Sequence, residues 1–182
     1  MKIKKENTAN KIQDLQFFGE YGGVNPSIAD SSTFTYLAGN TMGDVFEGTR
    51  QGCYLYSRHT NPSNSYLGQA ISEMEYTKGA ILSASGMGAI SSTILQICGS
   101  NDEIVSSRTI YGGTYAFMKN YLPKFQIKTS FVDTTKIDQI ESAQTKKTKM
   151  IFCETMSNPL LEVSDIYAIS KLAKKHNILL VV

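Results

Sequence analysis

The stretch ILSASGMGAISSTIL, residues 81–95, changes character halfway along. Apolar Ile81 and Leu82 lead into Ser83–Ser85, and the chain turns through Ser85-Gly86-Met87-Gly88. From there apolar residues recur at helical spacing. The pattern predicts a strand over 79–85, GAILSAS, and a helix over 87–98. A helix that starts just after a strand leaves several backbone N–H groups unpaired and pointing one way, and its dipole adds partial positive charge there. Such an end is suited to an anion, phosphate above all. A tight turn by itself uses the same residue types. The glycine spacing is not GxGxxG and no lysine follows as in a P-loop, so the stretch has to be weighed with its surroundings.

Downstream the alternation continues. DEIVSS (102–107) reads as a strand and 113–121 as a helix. FQIKTSFVD (125–133) is a strand, and 136–143 a short helix. KMIFCE (149–154) is a strand, and 163–175 a helix with Ile166, Ile169, Leu172 and Ala173 on one face. NILLVV (177–182) closes the series as a strand. Several strands are continuous apolar runs, as expected where helices cover both faces of a sheet. Strands alternating with helices at this spacing predict an α/β fold, an α/β/α sandwich around a mostly parallel sheet.

Upstream the character differs. Before about residue 76, Gly, Asn, Ser, Thr and Tyr dominate, and YGGVNPSIADSSTFTYLAGN (21–40) reads as extended and turn-rich. An irregular arm of this length suits a surface laid across a partner better than a self-sufficient core. Within it NPSNSYLGQAISEME (61–75) starts as a helix should, with Asn61 or Ser63 as the cap and Leu67, Ala70, Ile71 and Met74 at helical spacing.

The chain has 182 residues, 18 basic and 16 acidic, for a formal net charge of +2, so charge gives no reason to expect a nucleic acid or membrane partner. Cys53, Cys98 and Cys153 are odd in number and far apart. They form neither a zinc-like spacing nor a disulfide framework, which suits a reducing, cytoplasmic setting. The N-terminal MKIKKENTANKIQDLQ is basic but lacks the apolar run of a signal peptide, and no segment has the length and hydrophobicity of a membrane span.

Three more stretches carry chemistry. YSRHTNPSN (56–64) sets Tyr56 and Arg58 two apart before a helix cap. IYGGTYAF (110–117) puts Tyr111 at a strand end before a glycine pair. ETMSNP (154–159) puts Glu154 and Asn158 at another strand end. Together with SGMG, FVD (131–133), NPLLEVSDI (158–166) and the closing VV, they resemble, in order and spacing, the trans-sulfuration enzymes of Cys/Met metabolism. These are pyridoxal-phosphate enzymes of fold type I. The resemblance runs from about residue 20 to Val182 and is strongest to the methionine γ-lyase type.

The resemblance implies pyridoxal 5'-phosphate as cofactor and a homodimer or homotetramer as the assembly. Its phosphate would lie on the amides of Gly86 and Met87, with Ser85 shaping the turn. Tyr56 and Arg58 would reach the phosphate of a neighbouring subunit, a task for which the planar guanidinium fork is suited. Tyr111 would stack on the cofactor ring and act as the catalytic acid or base. A phenol ordinarily titrates near ~10, so a base role at neutral pH requires positive charge nearby. Glu154 and Asn158 match positions beside the ring, Asn158 next to its phenolic oxygen. The implied activity is a C–S lyase or transferase of sulfur amino acid metabolism, of methionine γ-lyase or cystathionine γ-lyase/γ-synthase type. An O-acetylhomoserine sulfhydrylase-type enzyme, or an inactive remnant that folds and dimerises, are the alternatives.

Some positions depart from the family pattern. Met156 stands where proline is usual, Ser63 where threonine is usual, and Gly113 where methionine γ-lyases carry cysteine, which leaves the substrate open. The resemblance also puts the Schiff-base lysine and the aspartate that pairs with the pyridinium nitrogen beyond Val182. The expected organisation is therefore an arm over 1–60 in dimer contact and the N-terminal part of the large cofactor-binding domain over 61–182, with the C-terminal domain absent.

Overall fold

The computed structural model describes residues 23, 25–35, 38–50 and 52–182. The N-terminal stretch read above for a signal peptide lies outside the described residues, as does part of the 21–40 segment. The chain divides into two compact units, one up to Leu82 and one from Ser83 to Val182.

In the first unit, short backbone pairing replaces regular sheet. Phe34 N donates to Leu55 O at 3.2 Å and Ser57 N to Ser32 O at 2.9 Å, on either side of an antiparallel bridge between Thr33 and Tyr56. Helix α1 spans Met42–Phe46 and α2 spans Pro62–Met74. Asn61, buried, caps α2 by accepting from Ser63 N at 2.9 Å, with Pro62 at the first helical position. The same side chain donates to Ala29 O and to Ser57 Oγ, both at 3.0 Å, so one residue starts the helix and ties down the arm. Gly68 is required by a close approach: a Cβ there would stand 2.9 Å from the Ala80 carbonyl oxygen.

The predicted strand at 79–85 is not one. These residues carry no ladder, and Ile81 is 97% exposed. Apolar composition gives a segment the propensity for sheet, but a strand exists only through a neighbour's backbone groups, and none of the described residues supplies them.

The second unit is the predicted α/β alternation. It runs α3 (Gly86–Ile97), β1 (Glu103–Ser107), α4 (Gly112–Ala116), β2 (Lys128–Val132), α5 (Ile137–Ala143), β3 (Thr148–Phe152), α6 (Ile166–Lys175) and β4 (Leu179–Val181). All pairings are parallel, in the order β2-β1-β3-β4. The period-two alternation of the strands feeds two cores. Ile104, Met150 and Phe152 pack with Ile94 and Cys98 of α3 and its end, and with Met118 and Leu122, on one face. Val105, Ile151 and Cys153 pack with Ile140 of α5 and with Ile169, Leu172 and Ala173 of α6 on the other. Ile90, Ile94 and Ile97 recur at helical spacing, so α3 presents one apolar stripe to that first core.

Several elements are shorter than expected: the strands read at 125–133, 149–154 and 177–182 are Lys128–Val132, Thr148–Phe152 and Leu179–Val181, and two helices are shortened as well. The helix predicted over 113–121 is α-helical only to Ala116. It widens to a π turn at Phe117–Tyr121 and tightens to a 3₁₀ turn at Leu122–Phe125, where Pro123 ends helical hydrogen bonding. The helix predicted from 163 begins at Ile166, because Asp165 caps it by accepting from Ala168 N at 2.9 Å and the preceding residues form a hairpin.

Candidate active site

The strand order reverses between β1 and β3: from β1 the chain moves out to β2, and then returns across to β3 and β4. In open parallel sheets, ligands bind at such a switch point, beyond the carboxyl ends of the strands. Here those ends are Ser107, which leads through Arg108 and Thr109 to Tyr111, and Phe152, which leads through Cys153 to Glu154. The two tails are joined: Tyr111 N donates to a Glu154 carboxylate oxygen at 2.8 Å.

The start of α3 belongs to the same place. Ser85 is in extended conformation and accepts from Gly88 N at 3.0 Å. Its capping bond satisfies one of the free amides. No hydrogen bond among the described residues engages Gly86 N or Met87 N. A Cβ at Gly86 would meet nothing within 4 Å, so the first residue of α3 borders open space. Met87 and Tyr111 meet at Gly113, where a Cβ would stand 2.6 Å from Tyr111 Cε1 and 3.3 Å from Met87 Sδ. Thr114, fully buried, donates to Met87 Sδ at 3.8 Å. Free amides at a helix end, an aromatic ring 63% exposed beside them and a carboxylate holding that ring's backbone make a donor set that fits a phosphorylated aromatic group.

Asn158 lies on the hairpin after Glu154. Met156 and Val163 form an antiparallel bridge, Ser157 N donates to Glu162 O at 2.9 Å, and the Asn158–Pro159 peptide is cis. The Asn158 side chain is exposed at the hairpin tip. Tyr56 and Arg58 lie in the first unit, both exposed, with the guanidinium 5.0 Å from the centroid of the Tyr56 ring. Neither side chain is drawn into a core.

Cys153, between β3 and Glu154, is buried, and burial pushes its thiol up to about 11, with the neighbouring Glu154 charge adding to the effect. It stays protonated at neutral pH and serves packing. Four polar residues at this edge have no site role in the sequence analysis, although Asp133 and Glu162 fall within the quoted FVD and NPLLEVSDI stretches. Arg108 Nη2 donates to Glu162 Oε1 at 2.6 Å and stands 3.6 Å from Asp133 Oδ2, while Thr109 Oγ1 donates to Glu162 Oε2 at 3.2 Å. The bond from Glu162 raises the Arg108 guanidinium further above its ordinary value. Asp133 is held below the usual carboxylate range, first by the Thr135 hydroxyl and then by the Thr135 amide, Arg108 and Lys136. Their sequence signal is weak: Arg108, Thr109 and Asp133 lie within two residues of a strand's carboxyl end, but Glu162 lies ten residues past β3, and nothing in the spacing pairs 108 with 162.

Comparison with known proteins gives the chain's family and fold. The family described as Cys/Met metabolism PLP-dependent enzyme matches residues 9–182. The chain is 40% identical over 170 residues to a methionine gamma-lyase of Arabidopsis thaliana, covering 91% of this chain and 38% of that protein. It is 34% identical over 165 residues to a cystathionine beta-lyase of Staphylococcus haemolyticus, covering 90% of this chain and 39% of that one. Among solved structures, it superposes with TM-score 0.89 and 28% identity on a protein described as an O-acetylhomoserine (thiol)-lyase from Campylobacter jejuni that carries N'-pyridoxyl-lysine-5'-monophosphate, covering 97% of this chain and 43% of that one. It superposes with TM-score 0.83 and 29% identity on a cystathionine gamma-lyase from Lactobacillus plantarum complexed with L-serine, covering 96% and 44%. The chain thus spans about two fifths of the length of these relatives. Among the described residues, no helix is long and apolar enough to cross a membrane.

Proposed function

Because the chain belongs to the Cys/Met metabolism PLP-dependent enzyme family, we propose that it forms part of a carbon–sulfur lyase or transferase that binds pyridoxal 5'-phosphate and acts on a sulfur amino acid. The observation that carries this reading is the meeting of Met87 and Tyr111 at Gly113, which sets an exposed aromatic ring beside two free helix-end amides. When bound, the cofactor supplies an electron sink for the bonds around the amino acid's α-carbon.

The chain's own residues hold and orient. Gly86 and Met87 would hold the phosphate with their amides, reinforced by the α3 dipole, and Ser85 keeps the turn shaped. Tyr111 would hold the cofactor by stacking on its ring, and its hydroxyl would move a proton at the departing sulfur. Glu154 fixes the Tyr111 backbone, and Asn158 would hold the ring oxygen by a hydrogen bond. Tyr56 and Arg58, exposed and stacked on each other, serve the phosphate of a neighbouring subunit in a homodimer or homotetramer. Free Cys53, Cys98 and Cys153 fit a cytoplasmic protein. The reaction is γ- or β-elimination or replacement of the methionine γ-lyase or cystathionine γ-lyase/γ-synthase type, and the missing side chain at Gly113 is what lets the Tyr111 ring and Met87 pack there.

The test is a titration of the purified protein with pyridoxal 5'-phosphate, read by its absorbance, with and without excess inorganic phosphate. The wild type should show saturable binding that phosphate competes away. Gly86→Val should keep the fold, because the space there is open, yet weaken binding at least ~10-fold by covering the amides. Binding that phosphate does not compete, or that Gly86→Val leaves unchanged, would remove this helix end from the site.

A further inference from the structure

We propose that Glu162 is a positioning residue which, through Arg108 and Thr109, locks the Asn158 hairpin to the tail of β1 and so sets Asn158 and Tyr111 relative to each other. The inference rests on the functional reading above only in giving Asn158 and Tyr111 their importance.

Both Glu162 carboxylate oxygens are taken from the same short segment. Oε1 accepts from Arg108 Nη2 at 2.6 Å and Oε2 from Thr109 Oγ1 at 3.2 Å. Arg108 in turn is fixed at its backbone, where its N–H donates to Val132 O at 2.8 Å, and at its guanidinium by Asp133 at 3.6 Å. Thr109 N and Oγ1 are both within 3.2 Å of Ser107 Oγ, a buried hydroxyl at the end of β1. Glu162 is itself locked across the hairpin. Its N–H donates to Ser157 Oγ at 3.0 Å and its carbonyl accepts from Ser157 N at 2.9 Å, one residue before Asn158. Two residues beyond Thr109, Tyr111 N reaches Glu154 at 2.8 Å. The segment 108–111 is therefore held at both ends by carboxylates flanking the hairpin that carries Asn158.

A purely stabilising role does not account for this arrangement. The Arg108 and Glu162 side chains are 43% and 29% exposed. Ion pairs this open contribute little to global stability. What the bonds restrict is local: a hairpin whose tip is exposed and whose sides carry exposed Met156, Leu160, Leu161 and Val163 has few apolar contacts to hold it.

The experiment compares wild type, Glu162→Ala and the conservative variant Glu162→Gln. It reads thermal midpoint, amide hydrogen exchange by peptide, and the NMR signal of the Tyr111 ring in tyrosine-labelled protein, assigned with Tyr111→Phe. Glu162→Ala should leave the midpoint within about 3 °C, as expected when an open ion pair is lost from a chain of this size. Exchange should rise roughly 10-fold in peptides covering 108–112 and 155–164 and stay unchanged in β3 and α6, and the Tyr111 signal should move. Glu162→Gln, whose amide oxygen still accepts from Arg108 and whose amide NH2 can donate to Thr109 Oγ1, should restore exchange and signal together. Unchanged exchange and an unmoved Tyr111 signal in Glu162→Ala would overturn the proposal. So would exchange that rises equally across β3 and α6, because the pair would then be holding the whole fold. None of these readouts involves the cofactor, so a protein that fails to bind pyridoxal 5'-phosphate refutes the functional reading while leaving the lock standing, and the converse holds.

Discussion

Ser85 offers a way to separate the fold from the ligand at the start of α3. Its hydroxyl accepts the Gly88 N–H at 3.0 Å from an extended backbone, with φ −157° and ψ 156°. Removing such a cap costs about 1 kcal/mol. Ser85→Ala should therefore lower the urea midpoint by roughly 0.5 M, taking a slope of about 2 kcal/mol/M. It also frees the Gly88 amide, so affinity for inorganic phosphate or pyridoxal 5'-phosphate should stay within about threefold. Ser85→Asp should do the reverse. Aspartate caps as well as serine, and its charge at a helix N-terminus adds roughly 0.3–1 kcal/mol, so stability should be kept or raised. Against a phosphate, though, it sets like charges together. At about 5 Å and an effective dielectric constant near 20, each pair of unit charges repels by roughly 3 kcal/mol. Screening at an open site reduces this, and a loss of about 10- to 100-fold in affinity is the expected result. The assays are urea unfolding followed by circular dichroism, and titration with each ligand at fixed ionic strength. If Ser85→Asp binds phosphate within threefold of wild type, the anion does not lie at this helix end. If Ser85→Ala unfolds at the wild-type midpoint, the capping bond contributes nothing in solution.

Gly113→Ala should displace the Tyr111 ring, since its Cβ would stand 2.6 Å from Cε1, while the exposed ring can swing away and keep the stability change within about 1 kcal/mol; a loss above about 2 kcal/mol in urea unfolding would mean the ring is not free to move. In a preparation that turns over methionine or cystathionine, Tyr111→Phe should lower kcat by about 10²–10⁴-fold with cofactor affinity little changed, and full activity would remove Tyr111 from proton transfer. Ile151→Ala, which empties a fully buried site on central strand β3, should cost about 2–5 kcal/mol by the same unfolding assay. In native protein at pH 8, a thiol reagent should titrate exposed Cys53 fast and leave Cys98 and Cys153 slow, because burial pushes both up to about 11 from 9.0. Raised thiol pKa values mean the folded state binds these protons more tightly. Their contribution is whole below pH 9 and is lost as pH rises through 11, so stability should fall over that window, and a flat profile there would contradict it.

What the residues of this chain determined alone is local and periodic. The apolar alternation of Ile104-Val105 and Met150-Ile151-Phe152, set against stripes such as Ile90, Ile94 and Ile97, is sufficient to specify strands covered on both faces by helices. Ser85-Gly86-Met87-Gly88 announced a turn into a helix, because that signal is local, while the structure added that Ser85 caps it by accepting from Gly88 N. Short motifs at strand ends were legible for the same reason. Tertiary structure decided whatever depends on a distant partner. GAILSAS has the composition of a strand, yet it makes no ladder, because pairing depends on another segment's backbone and not on its own residues. Gly113 reads as one half of a turn-forming pair until the fold brings Met87 and Tyr111 against it. Arg108 and Glu162 lie 54 positions apart and look like two unrelated surface charges. Only the parallel crossing of β1 and β3, which brings two strand ends to one edge of the sheet, makes them a pair.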